Sequence, residues 1–340
     1  MSRQERNGME GVESDASEPA QPPPAQGVRL AWASIPAQVR AVVEEELGST
    51  VASAASQPGG FSPGVAARLR LADGRRVFAK AVSPIPNRDT PRIHRREASI
   101  AAALPPAALA PRLLWSYDEG DEGWVVLVFE DVEGQQPAQP WQPDQLERVL
   151  NALDALGAAL TPTPVPLATA GTANEAFASR ICAWGKLRDA QPSLVARLDG
   201  WSARHLDALV ELEAAAPSAV TGDTLLHFDV RADNILLTPE QVWFVDWPHA
   251  RVGAAWVDSV FFAPSVRMQG GPPPEQIIKR HPTYGSVDPA AITAAVVAVA
   301  GFFTYGALQP PPPGLPTLRA FQAAQGAVAR EWVAQRTGWT

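Results

Sequence analysis

Between residues 51 and 82 apolar and polar positions alternate in the manner of paired strands. Val51 to Ser56 forms one run, Val65 to Leu71 a second and Arg76 to Val82 a third. The last two flank Asp73-Gly74, a strong hairpin signal, because such turns need positive φ and these residues tolerate it. The loop from Gln57 to Gly64 carries Gly59, Gly60 and Gly64. Ahead of the strands, Val39, Val42, Val43 and Leu47 predict a helix over Pro36 to Leu47, with Ser34 as N-cap and Gly48 as its stop. Ile93, Glu97 and Ile100 predict another over Pro91 to Ala103. Strands around Leu113 to Tyr117 and Trp124 to Phe129 follow, and Glu130 to Gly134 reads as an extended connector.

After Gly134 the period becomes helical. The spacing predicts helices over Gln142 to Leu160, Asn174 to Ala190 and Ser193 to Ala215. A short β-rich patch, Leu225 to Trp247, interrupts them. Helices resume over Ala254 to Val266, Asp288 to Phe303 and Thr317 to Arg336, with Gly270 to Pro274 and Pro310 to Pro313 as loops. The expectation is an α+β chain: a small antiparallel lobe with one inserted helix over 28–132, a hinge, and a larger, mainly helical lobe over 133–340.

Composition narrows the function classes. The net charge is −8, so the basic footprint of a nucleic-acid binder is absent. The single cysteine, Cys182, excludes a disulfide framework and a cysteine zinc site, and its apolar neighbours Phe177, Ile181 and Trp184 make it a core residue. Residues 1–27 are polar, acidic and Pro-rich, without the apolar stretch of a signal peptide, and read as a disordered tail. Ala290 to Phe303 is shorter than a membrane span and reads as a buried helix. A cytoplasmic protein with no nucleic-acid or membrane partner is expected, as monomer or homodimer.

The chemistry concentrates in Leu226 to Leu237, where His227, Asp229 and Asn234 form H-x-D-x-x-x-x-N. Twelve residues after Asn234, Asp246 closes the apolar run Val242 to Val245. An acid ending a buried strand is poor core material and good ligand material. Lys80 lies inside the apolar strand Val77 to Val82 and needs a partner there.

Together these residues resemble the catalytic and metal loops of the aminoglycoside phosphotransferase family, a branch of the protein-kinase-like fold. The resemblance implies a two-lobed, ATP-dependent phosphotransferase that moves the γ-phosphate to a hydroxyl of a small molecule, an aminoglycoside or another antibiotic or metabolite. It casts Asp229 as the catalytic residue at the hydroxyl proton, and Asn234 and Asp246 as ligands of Mg²⁺. Lys80 would grip the α- and β-phosphates and pair with Glu97, the only acid in its helical pattern. Gly60 and Ser62 would cover the ATP phosphates, and Glu130 and Val132 would offer backbone groups to adenine. His227 would brace the loop, and Asp258 would hold its backbone or else lie on a helix surface.

Departures from the pattern are Phe228 and Asp233, where the family often has glycine, and Trp247-Pro248 after Asp246. Asp233 places another anion near the metals. No Ala-Pro-Glu element follows, which argues against a protein substrate. A non-catalytic ATP-binding pseudokinase or a regulatory binding protein is the alternative. For the acceptor, Glu175, Asp189, Asp199, Asp207, Glu211 and Glu275 would greet ammonium groups or serve as solvated helix faces. Trp184, Trp201, Trp256, Phe261, Phe262 and Tyr284 would suit an apolar molecule.

Overall fold

The computed structural model describes residues 22–190 and 192–340. Of the expected disordered tail, residues 1–21 lie outside the described residues. Its last residues are not free: Gly27 N donates to Gly60 O at 2.9 Å, and Gly60 N donates to Ala25 O at 3.0 Å. The chain entering the first lobe is thus pinned to the glycine-rich loop.

That lobe is a five-stranded antiparallel sheet of β1 (Val51–Ser56), β2 (Val65–Leu71), β3 (Arg76–Val82), β4 (Leu113–Asp118) and β5 (Val125–Glu130), ordered β1-β2-β3-β5-β4. The period of two divides its faces. Val77, Ala79 and Ala81 pack with Val126 and Val128 against Val39 and Val43 of α1 (Ala37–Leu47). Val82, Leu127 and Phe129 face Ala98 and Ala101 of α2 (Asp89–Ala101). Ser34 does not cap α1: it ends a 3₁₀ turn, Trp32–Ser34, and Pro36 takes the N-cap position with no side-chain bond. Gly48 ends the helix at φ 64.

The chain leaves β5 through Gly134, where a Cβ would meet Leu236 Cβ at 2.7 Å, so only glycine lets the connector run this close to the second lobe. That lobe opens with α3 (Pro143–Ala159) and contains two small ladders: β6 (Thr224–Leu226) with β9 (Arg251–Gly253), and β7 (Ile235–Leu237) with β8 (Val242–Phe244). Around them stand the helices Val257–Met268, Pro289–Ala307 and Leu318–Thr337.

Two expected helices are broken. Asn174 to Ala190 is instead Ala173–Ala176, a π-helical turn Phe177–Ile181, and Trp184–Arg188. The cause is Glu213, whose carboxylate accepts the N–H groups of Ala183, Trp184 and Gly185 at 2.9, 3.1 and 2.7 Å and starts a new helix there. Ser193 to Ala215 is divided likewise, with Asp199 capping Gly200–Arg204 through Ser202 N at 2.9 Å. The loop expected at Gly270 to Pro274 leads into a helix, Pro274–Arg280, that periodicity did not show.

Pro289–Ala307 is longer than expected. With 19 residues it is long and apolar enough to cross a membrane by length and composition, yet 67% of its most apolar window is buried in the fold. Its Val297 carbonyl accepts Trp184 Nε1 at 2.8 Å, and a Cβ on Gly301 would meet the Trp184 ring at 2.7 Å. Cys182 is half-buried, and its thiol is pushed up to about 12 by burial and by Glu213, so it is not a thiolate nucleophile.

Candidate active site

Lys80 pairs with Ala66 and Leu127 across the sheet and projects from the face that carries Phe78 and Val82. That face meets α2, whose inner side presents His94, Glu97 and Ile100 at helical spacing. Lys80 Nζ lies 2.5 Å from Glu97 Oε1 and 2.7 Å from Asp246 Oδ1. Burial works against the ammonium, but Asp246 and Glu97 outweigh it and hold its pKa above the ordinary value. Burial raises Glu97 to about 7 against the pull of Lys80, and its Oε2 has no hydrogen-bond partner among the described residues. Burial would also raise Asp246; the adjacent ammonium prevails and holds it well below the carboxylate range.

Asp229 and Asn234 stand on the loop from β6 to β7. Asp258 is buried beneath it, accepting His227 N at 2.8 Å and Phe228 N at 2.7 Å. It is a support for the loop and not a surface acid. Phe228 has φ 66, which explains why glycine suits this position. Here the two bonds to Asp258 and the Phe261 ring, centroids 4.8 Å apart, hold a phenylalanine in that conformation. His227 Nδ1 accepts Asp229 N at 3.3 Å, so Nε2 bears the proton and donates to Val245 O at 2.9 Å. His227 therefore ties Asp229 to the residue preceding Asp246, which itself has φ 70.

Asn234 Nδ2 donates to Asp229 O at 2.9 Å and to Asp229 Oδ2 at 3.2 Å. Its Oδ1 is left without a partner among the described residues, beside the Asp246 carboxylate across a shared cavity. These are hard oxygens of the kind Mg²⁺ prefers. Among the described residues no three His, Cys, Asp or Glu side chains converge into a self-sufficient metal cage. A metal here would need further oxygens, such as those of a phosphate chain.

Two cavities meet at this point. One, of about 280 Å³, is lined by Gly60, Ser62, Lys80 and Glu97 from the first lobe. Glu130 at the end of β5, Val132 of the connector, and Asn234 and Asp246 of the second lobe complete it. The other, of about 230 Å³, is lined by Asp229. Asp246, Phe61 and Ser62 border both. Gly60, Ser62, Lys80, Glu97, Glu130, Val132, Asp229, Asn234 and Asp246 therefore each lie at one of two adjoining cavities.

Two details differ from expectation. Gly60 borders the cavity, but its N–H is engaged by Ala25 O and does not point into the open space as a free donor. The Val132 carbonyl accepts Arg68 Nη2 at 2.9 Å and so is already engaged within the protein. The acids considered for an acceptor are elsewhere: Glu175 and Asp199 cap helices, and Glu275 binds Trp332 Nε1 and Arg336 Nη1 at 2.8 and 2.7 Å. Of the aromatics considered, only Phe261 lines the second cavity.

Two arginines were missed. Arg231 bonds Asp229 Oδ1 and holds Asp233 at both oxygens, through Nε at 3.0 Å and Nη2 at 2.9 Å. Burial disfavours its charge, yet the two carboxylates raise its pKa above the ordinary value. Its position between two acids in Asp-x-Arg-x-Asp was the available signal. Arg29 bonds the carbonyls of Gln57, Gly59 and Ser62 and so clamps the glycine-rich loop from inside the first cavity. Local sequence carried no signal for that contact, which spans about thirty residues.

A sequence model described as the phosphotransferase enzyme family matches residues 58–291. Solved structures share the fold at low identity. The GDP complex of wild-type aminoglycoside 2′-phosphotransferase-IIIa aligns at 13% identity and TM-score 0.59, over 88% of this chain and 98% of its own. A thermostable mutant of aminoglycoside phosphotransferase APH(4)-Ia, with ADP and hygromycin B, aligns at 15% and 0.55, over 89% and 100%. A choline/ethanolamine kinase family protein from Mesorhizobium loti aligns at 16% and 0.54, over 88% and 97%. No curated protein matches the chain by sequence.

Proposed function

We propose that this chain, which belongs to the phosphotransferase enzyme family, transfers the γ-phosphate of Mg-ATP to a hydroxyl group of a small molecule. The observation that carries this reading is the junction of the two cavities at Asp246. On one side stand Lys80 and Asn234, which suit a polyphosphate; on the other stands Asp229, which suits a hydroxyl. Complexes of related folds with ADP and GDP support the nucleotide assignment.

In this mechanism Asp229 orients the acceptor hydroxyl and takes its proton as the acceptor oxygen bonds the γ-phosphorus. The bond from that phosphorus to the β,γ-bridging oxygen breaks, and ADP leaves. Arg231 and Asn234 each bind one oxygen of Asp229 and fix its direction, while a lone pair on each oxygen remains for the hydroxyl. Lys80 exchanges one carboxylate contact for the α- and β-phosphates and keeps Glu97 as its anchor. Asn234 and Asp246 would hold Mg²⁺, which when bound neutralises charge on the phosphates. Phosphoryl transfer asks mainly for such positioning and charge balance, so no covalent nucleophile is required.

The test is ADP release by purified protein with Mg-ATP and a panel of hydroxylated acceptors, beside Asp229→Ala. Acceptor-stimulated release that disappears in the variant is the expected result. Mg-ATP binding without stimulated release by any acceptor favours the pseudokinase, and absence of nucleotide binding overturns the reading.

A further inference from the structure

The second cavity has a composition opposite to that of a site for polycations. Aromatic and aliphatic side chains, Phe61, Phe228, Phe261, Phe302, Leu318 and Phe321 among them, make up one part of its wall and polar groups the rest. Its only carboxylates are Asp229 and Asp246, and both are already bonded, Asp229 to Arg231 and Asn234, Asp246 to Lys80. An ammonium entering here would find no other acid on the lining.

A cation, by contrast, is unspent. Arg180 lines the same cavity, and among the described residues its guanidinium has no hydrogen bond and no ion pair. Its one marked contact is the face of Phe302, 6.0 Å from its centroid. It stands at the turn Phe177–Ile181, where the break imposed by Glu213 ends the helix at the cavity wall. Burial lowers its pKa from the ordinary value; of the charges near it Asp229 is opposite in sign and Arg92 alike. Arg96 and Arg251 lie close by and bind the carbonyls of Ala170 and Ala250, and so hold the wall containing His249. Burial, Arg96 and Arg180 together lower Arg251 to about 10, and burial lowers His249 to about 4, so the imidazole is neutral near pH 7. Gln322 and Gln325 supply amide groups on the lining.

We infer that the acceptor is a hydroxylated carboxylic acid with an apolar body: Arg180 receives its carboxylate, the aromatic wall its body, and Asp229 its hydroxyl. The inference rests on the phosphotransfer proposed above and gives that site its substrate class. A planar guanidinium matches a carboxylate in two parallel hydrogen bonds, and Arg180, exposed at the mouth of the cavity, presents this fork to an entering anion and repels a cation. At an exposed guanidinium one pair of this kind is worth up to about fivefold in affinity.

The probes are para-(hydroxymethyl)benzoate, its neutral benzamide and its cationic benzylamine, which differ only in the group offered to Arg180. Dissociation constants are measured by ligand-observed NMR on the full chain and on Arg180→Ala and Arg180→Lys. Benzoate is expected to bind about threefold to fivefold tighter than either analogue. Arg180→Ala should erase the difference, and Arg180→Lys should restore part of it. Benzoate binding no tighter than the benzamide, including no binding at all, overturns the inference. So does a preference that survives Arg180→Ala. Mg-ATP affinity and ADP release are read on the same samples. Loss of those with the benzoate preference intact counts against phosphotransfer and not against the anion site.

Discussion

Replacing Lys80 tests whether its ion pair exists for stability or for a ligand. The Glu97 side chain is 3% exposed and that of Lys80 14%, so Lys80→Met strands a buried carboxylate whose other oxygen already lacks a partner. Removing one member of a buried pair costs about 3–5 kcal/mol, which lowers the melting temperature by about 10 °C in a domain of this size. Glu97→Gln alone is milder, about 1–2 kcal/mol, because Lys80 retains Asp246 as its partner. The double variant Lys80→Met/Glu97→Gln leaves no charge stranded in the pair. Its stability should recover by about 2–3 kcal/mol relative to the sum of the single changes.

The pH dependence has a definite sign. A carboxyl whose folded pKa is raised keeps a proton that the unfolded chain releases, so stability falls as pH climbs from the unfolded value to the folded one. Burial already raises Glu97 to about 7 with Lys80 present, and removing the ammonium raises it further. The Lys80→Met deficit should thus be small near pH 5 and grow through pH 7. Urea unfolding at pH 5, 6, 7 and 8 reads the stability, and ADP release reads the activity. The expected pattern is stability rescued in the double variant and activity lost in both. Additive stabilities, or a deficit independent of pH, would show that the Lys80–Glu97 pair is not the buried unit described here.

Asp258→Ala removes the acceptor of two buried backbone N–H groups and should cost about 3–5 kcal/mol, read by thermal unfolding; a loss below about 1 kcal/mol contradicts the support role. Arg29→Ala frees the loop carbonyls of Gln57, Gly59 and Ser62 and should raise KM for ATP by about tenfold with little change in melting temperature, an unchanged KM being the contrary result. Chelation of divalent metal by EDTA should abolish acceptor-dependent ADP release and restore it on adding Mg²⁺, whereas release that persists in EDTA speaks against metal at Asn234 and Asp246.

The features legible in the sequence were those fixed by short-range chemistry. The hairpin at Asp73-Gly74 follows from turn geometry, and Gly74 indeed has φ 91. Glu97 was found because the family resemblance gives Lys80 an acid partner on the next helix, and Glu97 is the only acid in that helical pattern. What escaped was set by distant partners. The break before Trp184 depends on Glu213, about thirty residues away, and the helical period on either side of it gives no warning. Arg29 is invisible for the same reason. Pro274–Arg280 was hidden by its brevity and by the prolines that precede it. The acids weighed for an acceptor stayed open between two roles because charge on a helical stripe does not say whether it caps, pairs or faces a cavity; Glu175 and Asp199 cap helices, and Glu275 binds Trp332 and Arg336.

The two departures from the glycine-containing motif are each offset within the same loop. A phenylalanine at φ 66 is strained, by about 1 kcal/mol or more, yet the two Asp258 bonds fix its backbone and its ring fills space between Phe177 and Phe261. That ring also walls the second cavity, so the substitution exchanges backbone ease for acceptor surface. Asp233 would crowd anionic charge beside Asp246 and compete for metal, but Arg231 takes both its oxygens and reaches Asp229 with the same guanidinium. Asp233 therefore acts as the anchor of the residue that aims Asp229. The phenyl rings of Phe61 and Phe321, 5.4 and 5.9 Å from that guanidinium, enclose it. Phe61 belongs to the loop clamped by Arg29 and Phe321 to the last long helix, so the direction of Asp229 depends on the glycine-rich loop being closed over the second lobe.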